Sequence, residues 1–425
     1  MHLPAYRLLL ACALAAVLVD CGGSEATTRL TFSGSALGPE AEVVSRQLRQ
    51  FAALYPGVDV SLRITPDAAD QRRQLYVQWL NARAPEPDVL QLDVIWTAEF
   101  AGAGWIRPLQ AAAGDADDFI AAAWQAAHWR DTLYALPWFV DVGLLYWRTD
   151  LLESPPRSIA ELRDAAIRVM AQEPLRFGLV WQGARYEGLV TVFLEHLIAF
   201  GGDIFDAAGR VVVDQPAAVS ALTFMRDALG DAGFVPASVL TWQEEQTRFA
   251  FQNGEALFMR NWPYAWVRLQ DRAQSAVAGR FAVAPFPAGE NGRAAAALGG
   301  AELAVNRWSR HPALAEALAR FLTAPEQMLE RARMAAQLPA RRSLYDERAL
   351  AEALPIPVEQ IGAALDAAVS RPASPVYTEL SEILQVELHR ALSGQATPEA
   401  ALRRAAADMR ALLARSGLAG EGMRR

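Results

Sequence analysis

An α/β fold in two domains is what this sequence predicts, and two observations carry the prediction. Strand and helix periodicities alternate between residues 29 and 96. The chain, with 425 residues, 52% apolar and 21% charged, is too long for one hydrophobic core and too apolar to be disordered.

The elements follow in order. "RLTFSGSA" (29–36) reads as a strand, and "EAEVVSRQLRQFAALYPG" (40–57) as an amphipathic helix closed by Pro-Gly. "VDVSLRIT" (58–65) places Val58, Val60, Leu62 and Ile64 on one face, which is strand periodicity. "ADQRRQLYVQWLNAR" reads as a helix, and the apolar run "DVLQLDVIW" (88–96) as a buried strand, so a parallel sheet is expected. After Trp105 the rhythm changes. "TLYALPWFVDVGLLYWRTDLL" (132–152) carries a proline inside an extended run, which suits an edge or crossover strand. Ser158 stands three residues before Glu161, a capping box for "RSIAELRDAAIRVM". Similar start signals open helices at "QPAAVSALTFMRDAL", "TAPEQMLERARM" and "TPEAALRRAAADMRALLA", the last with Pro398 at its first position. Short strands are expected at "RFGLVWQG", "GEALFMRNW", "RFAVAPFP" and "LGGAELAVN". No low-complexity linker separates the domains, so strands are expected to join them.

Composition removes whole chemistries. All 40 basic residues are arginine; without lysine, Schiff-base, pyridoxal and P-loop mechanisms are excluded. The net charge of −8 and the absence of a basic patch argue against a nucleic-acid partner. The five histidines fall at no metal-ligand spacing, and the two cysteines, Cys12 and Cys21, leave the body without a disulfide or zinc cluster. No metal and no cofactor is expected. Arg7 followed by "LLLACALAAVLV" reads as a secretory leader. "LVDCGGSEATT" resembles a bacterial lipoprotein processing site at Cys21, with Asp20 where a small residue is usual, and "GGSEATT" as the tether.

Three acids stand out by position. Asp93 ends an apolar strand, Asp141 sits in "WFVDVGLL", and Glu40 opens the first helix. Ligands of open α/β sheets bind at the carboxyl ends of strands, where Asp93 lies. An acid among apolar and aromatic neighbours needs a partner, and a carboxylate suits adjacent sugar hydroxyls. Glu40 alone reads rather as a helix-terminal acid. Aromatics crowd the same segments: Trp138, Phe139, Tyr146 and Trp147 around Asp141, Tyr186 beside Glu187, and "RNWPYAW" (260–266). Rings that pack on the C–H face of a pyranose, with acids at its edge, are what a neutral sugar requires. Trp262 is read as such a platform and Trp266 as packing; Tyr264 is left open.

These residues carry a resemblance. The chain resembles the solute-binding proteins of bacterial ABC transporters, the family 1 sugar-binding lipoproteins, and specifically their trehalose/maltose-binding group. The resemblance runs through "DVLQLDVIW", "GWIRPL", "LYALPWFVDVGLLYWRTDLL", "GLVWQGARYEGLV", "NWPYAW", "LGG" (298–300), "SRP" (370–372) and "ELSEI" (379–383). It implies a two-lobed periplasmic-binding-protein fold of type II, maltose-binding-protein-like, with a multi-strand hinge. Residues 1–27 would be signal peptide and tether. Residues 28–136 with 298–345 would form the N-terminal lobe, and 137–297 with 346–425 the C-terminal lobe. It implies a monomer without catalysis, exported to the periplasm or the outer face of the cytoplasmic membrane, which hands an α-linked disaccharide to an ABC permease. From the first lobe Glu40, Asp93 and one of Arg72 and Arg73 would bond the sugar. Phe139, Asp141, Tyr186, Glu244, Trp262, Arg371 and Tyr377 would supply contacts from the other lobe or the hinge, with Gly300 of "LGG" completing the set. Two positions depart from the group: Ala301 stands where it places a tryptophan, and Gln337 where relatives have an aromatic. A secreted glycoside hydrolase and a sugar-sensing adaptor are the rival readings of the same acids and rings.

Overall fold

A computed structural model of the chain describes residues 27–230, 233–346 and 348–418. The predicted leader and Cys21 lie outside them. The alternation read from the first segment becomes a sheet: β1 (Thr28–Gly34) pairs in parallel with β2 (Val58–Ile64) and β3 (Val89–Asp93). Helices Glu40–Leu54 and Ala69–Asn81 make the crossovers. After the small hairpin β4 (His128–Trp129) and β5 (Thr132–Leu133), the chain runs through β6 (Ala135–Val142) directly into β7 (Leu144–Arg148), with Gly143 alone between them. β7 belongs to a different sheet, formed with β8 (Phe177–Val180), β9 (Ala256–Asn261) and β10 (Phe281–Ala284) in the order β10-β7-β9-β8.

The chain then returns. β11 (Ala296–Val305) inserts antiparallel between β3 and β6, and the short β12 (Leu338–Pro339) and β13 (Ala368–Val369) complete a seven-stranded sheet. The expected parallel sheet is therefore mixed, because a strand from late in the chain closes it. Pro137 is accommodated as a crossover proline: where β6 meets β11 the register slips at Ala301/Glu302, and Trp138 is the extra residue.

Each sheet has its own core. Leu30, Phe32, Phe51, Tyr76, Leu90, Trp96 and Trp138 pack around the larger sheet. Tyr146, Trp181, Phe193, Phe251, Phe258 and Trp266 pack around the smaller. Trp266 is packing, buried edge-on against Phe281 with ring centroids 4.7 Å apart. The helices at Ile159–Gln172 and Pro398–Arg415 start at Ser158 and Thr397, whose hydroxyls accept the N–H of Glu161 and Ala400. The Glu161 carboxylate reaches back one residue further than a capping box requires, to the N–H of Arg157. Among the described residues, no helix is long and apolar enough to cross a membrane, and no side-chain group could hold a metal ion.

Candidate functional site

β11 brings the predicted acids together. Its Ala301 lies opposite Asp93 on β3, and its Gly299 lies opposite Asp141 on β6. The Trp262 ring edges up to Gly299, where an added Cβ would sit 3.2 Å from Trp262 Cζ3 and 3.6 Å from Asp141 Cβ. Asp93, Asp141 and Trp262 therefore share one cleft floor, although 169 residues of sequence span them (262 − 93). Gly300, at φ +131°, could not carry a side chain: its Cβ would meet the Phe139 carbonyl at 2.4 Å. Its place in the site is that of backbone.

The Trp262 ring is backed on one face. The Arg260 guanidinium lies 4.0 Å from the ring centroid, so one face is covered by a cation. Arg260 is itself fixed by Glu195, with Nη2 to Oε1 at 2.7 Å and both side chains almost wholly buried. Glu195 Oε1 also accepts the N–H of Ala297 on β11 at 3.0 Å. At the far edge of the indole stand Glu244 and Tyr186. Burial raises the Glu244 carboxyl, opposed by Tyr186 and Trp262 beside it. Tyr186 faces Glu244, but its Oη completes no hydrogen bond.

Asp141 is the most exposed to electrostatic stress. Burial first, then the charges of Glu40 and Asp93, push its carboxyl well above the usual range, against the pull of Arg331 and Arg260. Its Oδ1 has no hydrogen-bond partner. Asp93, by contrast, accepts from Arg371 Nη2 at 2.8 Å. Arg371 bridges to Glu187 Oε1 at 2.9 Å, and Tyr377 Oη donates to the same oxygen at 2.8 Å. Burial would loosen the Arg371 proton, but the carboxylates of Asp93 and Glu187 outweigh it and hold the cation.

Other predicted residues are engaged elsewhere. Arg73 forms a two-point pair with Glu99 at the cleft wall, where Thr378 also donates to Glu99 at 2.9 Å. Arg72 donates to the carbonyls of Pro66 and Asp67 at 3.2 Å and lies over Trp96. Phe139 is buried with the Arg331 guanidinium 5.2 Å from its ring. Glu40 is wholly enclosed by Ser35, Gln91, Gln337 and Arg331.

The lobes meet across this floor. The N–H of Glu187 donates to Asp70 at 3.2 Å, Arg268 to the carbonyl of Gly38 at 2.7 Å, and Tyr264 packs on Gly38 while donating to Glu245 at 2.8 Å. Tyr264, left open by the sequence, is an interlobe contact. A rim recess of about 240 Å³ lies between Gly38 and Asp67 on one side and Glu245, Arg248 and Arg268 on the other. A larger groove of about 1350 Å³ shares Gly299 and Arg371 with the floor, but Trp124, Phe205 and Pro372 line it and the clustered acids do not. The acids and rings, not the larger groove, define the candidate site.

Sequence reasoning missed Glu187, Arg331 and Arg260 as site residues, and met Gln337 only as a departure from the family pattern. Glu187 had a signal, an acid beside Tyr186 at the start of a helix buried along its whole length. Burial first, and then the Asp70 charge, raise its carboxyl to about 7 despite Arg371. A carboxyl raised on folding contributes stability that is complete below its unfolded value, about 4.5, and is lost as pH climbs through about 7. The thermal midpoint is therefore expected to fall as pH rises from about 4.5 to about 7, and Glu187→Gln to flatten that fall. Calorimetric scans across this range check it; an unaltered slope in the variant would contradict the assignment.

A family model described as bacterial extracellular solute-binding protein matches residues 38–329. A probable ABC transporter-binding protein of Deinococcus radiodurans is 36% identical over 363 residues, which is 82% of this chain and 85% of that protein. Among solved structures, maltose-bound MalE3 of T. maritima superposes with a TM-score of 0.85 at 41% identity, covering 91% of this chain and all of that one. The GacH receptor of Streptomyces glaucescens, solved unliganded and with acarbose, follows at a TM-score of 0.81 and 26% identity, over 91% and 98% of the two chains. With two sheets joined by crossing strands, this is a two-lobed, maltose-binding-protein-like molecule, and the chain belongs to the bacterial extracellular solute-binding protein family.

Proposed function

We propose that this chain is the extracytoplasmic receptor of an ABC importer, capturing an α-linked disaccharide, trehalose or maltose, between its lobes and delivering it to a membrane permease. The observation that carries the reading is the meeting of Asp93, Asp141 and Trp262 along β11. One face of Trp262 rests on Arg260, which leaves the other for the C–H face of a pyranose, with Asp141 at one edge and Glu244 at the other. The maltose bound by the T. maritima relative and the acarbose bound by GacH support a sugar as the class of ligand.

The proposed contacts are Asp93, Asp141, Phe139, Tyr186, Glu244, Trp262, Arg371, one of Arg72 and Arg73, Tyr377 and the backbone at Gly300, with Glu40, enclosed by protein partners, acting from behind them. The proposed lobe boundaries are 136/137, 297/298 and 345/346. The chain acts as a monomer, held at the outer face of the cytoplasmic membrane through a lipid on Cys21. Closure has a physical cause. A buried polar atom without a partner costs about 1–3 kcal/mol, and Asp141 Oδ1 and Tyr186 Oη are two such atoms in the closed cleft. A hydroxylated ligand supplies the partners, so it binds the closed form better than the open one and shifts the population toward it. Titration with maltose and with trehalose is expected to change the tryptophan fluorescence without any release of glucose. Silence toward both sugars would overturn the reading, and glucose release abolished by Asp141→Ala would replace it with a hydrolase.

A further inference from the structure

Asp141 divides the cleft floor into two unlike halves. On one side is Gly299 with the Trp262 ring. On the other, β12 pairs Leu338 with Val140 and Pro339 with Phe139, which brings Gln337 alongside Asp141. Gln337 is the centre of a buried polar knot. Its Nε2 donates to Glu40 Oε1 at 3.0 Å, and its Oε1 accepts from Arg331 Nη2. The Arg331 guanidinium lies 3.6 Å from the Trp138 ring centroid, so its plane is fixed.

The two charged members of the knot differ in what they have left to offer. Glu40 accepts from Ser35 Oγ, from Gln91 Nε2 at 3.2 Å, from Gln337 Nε2 and from Arg331 Nη2 at 3.5 Å. Three of these four bonds meet Oε1 and one meets Oε2, so most of the carboxylate's capacity of about four is taken up by the protein. Arg331 is 1% exposed, and its Nε and Nη1 have no acceptor at all. Asp141, set opposite Gln337 by the strand register, has an Oδ1 with no donor. The charge of Asp141 is felt at Arg331, and that of Arg331 at Asp141. Unpartnered donors next to an unpartnered acceptor fit one kind of group, which must donate to the acid and accept from the guanidinium. A hydroxyl does both, and two neighbouring hydroxyls span the pair. An anionic sugar would meet Glu40, Asp93 and Asp141, and a cationic one would meet Arg331.

We propose that Arg331, together with Asp141, determines specificity at this end of the cleft: the pair reads neighbouring hydroxyls of a neutral sugar edge-on, where an aromatic would have read a ring face. Glu40 and Gln337 are positioning residues that hold the guanidinium. The proposal rests on the sugar-binding reading above. Its test is calorimetric titration of maltose and a set of monodeoxy maltoses into the full chain and into Arg331→Met, Gln337→Met and Trp262→Ala. Loss of a charged hydrogen-bond partner predicts a Kd about 30-fold higher in Arg331→Met and about 5-fold higher in Gln337→Met. The decisive readout is the pattern of deoxy penalties. At least one hydroxyl whose removal costs about 10-fold in the parent is expected to cost less than about 2-fold in Arg331→Met. If every penalty persists in that variant, Arg331 is only structural and the proposal falls. Where circular dichroism shows Arg331→Met unfolded, Gln337→Met, which keeps the volume and the cation, carries the same comparison. A parent chain that binds neither maltose nor trehalose overturns the sugar reading itself. A parent that binds, and is weakened by Trp262→Ala but unchanged by Arg331→Met, overturns this assignment alone.

Discussion

Glu195→Ala is expected to lower the thermal midpoint by roughly 10 °C, the largest stability effect of any single substitution near the site. The Arg260 guanidinium has no exposed escape: its side chain is 2% accessible and that of Glu195 is 1%. Arg260 Nε and Nη2 both point at the Glu195 carboxylate, and Nη1 donates to Gln182 Oε1 at 3.3 Å. Removing one member of a buried pair strands the other, at a cost of about 3–5 kcal/mol. The truncation also removes the acceptor for the N–H of Ala297, loosening β11 where it enters the larger sheet. Glu195→Gln keeps the volume and that acceptor, so it should fall between the parent and the alanine variant. A thermal scan in which alanine shifts the midpoint by less than about 2 °C would mean that solvent reaches Arg260.

The second large effect concerns the ligand. Trp262→Ala is expected to raise the Kd for the bound sugar about 30-fold, near 2 kcal/mol, the loss typical of an aromatic anchor in a desolvated site. The ring is only partly buried while its neighbours Asn261, Pro263 and Tyr264 are buried, so its removal should cost binding more than folding. Titration by heat rather than by fluorescence separates affinity from the lost chromophore. An unchanged Kd with a lowered thermal midpoint would assign the ring to packing.

How far the sequence carried this picture depends on sequence distance. Strand and helix identities follow from local periodicity, and they were legible: "VLQLD" is a buried strand and Asp93 is its last residue, as its apolar run requires. Asp141 and Trp262 were legible because an acid or an indole among apolar neighbours has few structural uses. The insertion of β11 between β3 and β6 was not, since nothing in "LGGAELAVN" states which strands it will pair with. The Arg260–Glu195 pair spans 65 residues and the Arg331–Glu40 contact 291, and neither leaves a local pattern. Glu195 did leave a trace, as an acid in the otherwise apolar "LVTVFLEHLIAF". Arg331 left none, because "EQMLERARM" is charged along its whole outer face. Glu40 and Gln337 drew attention through the resemblance, and the structure gives that attention a physical object in the knot they form around Arg331.

Gly143, the single residue between β6 and β7, passes directly over the pair that supports the indole. A methyl group there would lie 1.8 Å from Glu195 Oε1 and 2.5 Å from Arg260 Nη2. The pivot of the molecule and the bed of its ring are thus one piece of architecture. Remodelling Arg260 to admit a new substrate is therefore expected to disturb the strand crossover that rests on it. Anyone converting this receptor into a sensor has better purchase at Gln337, on the far side of Asp141, where preference can change while the axle stays true.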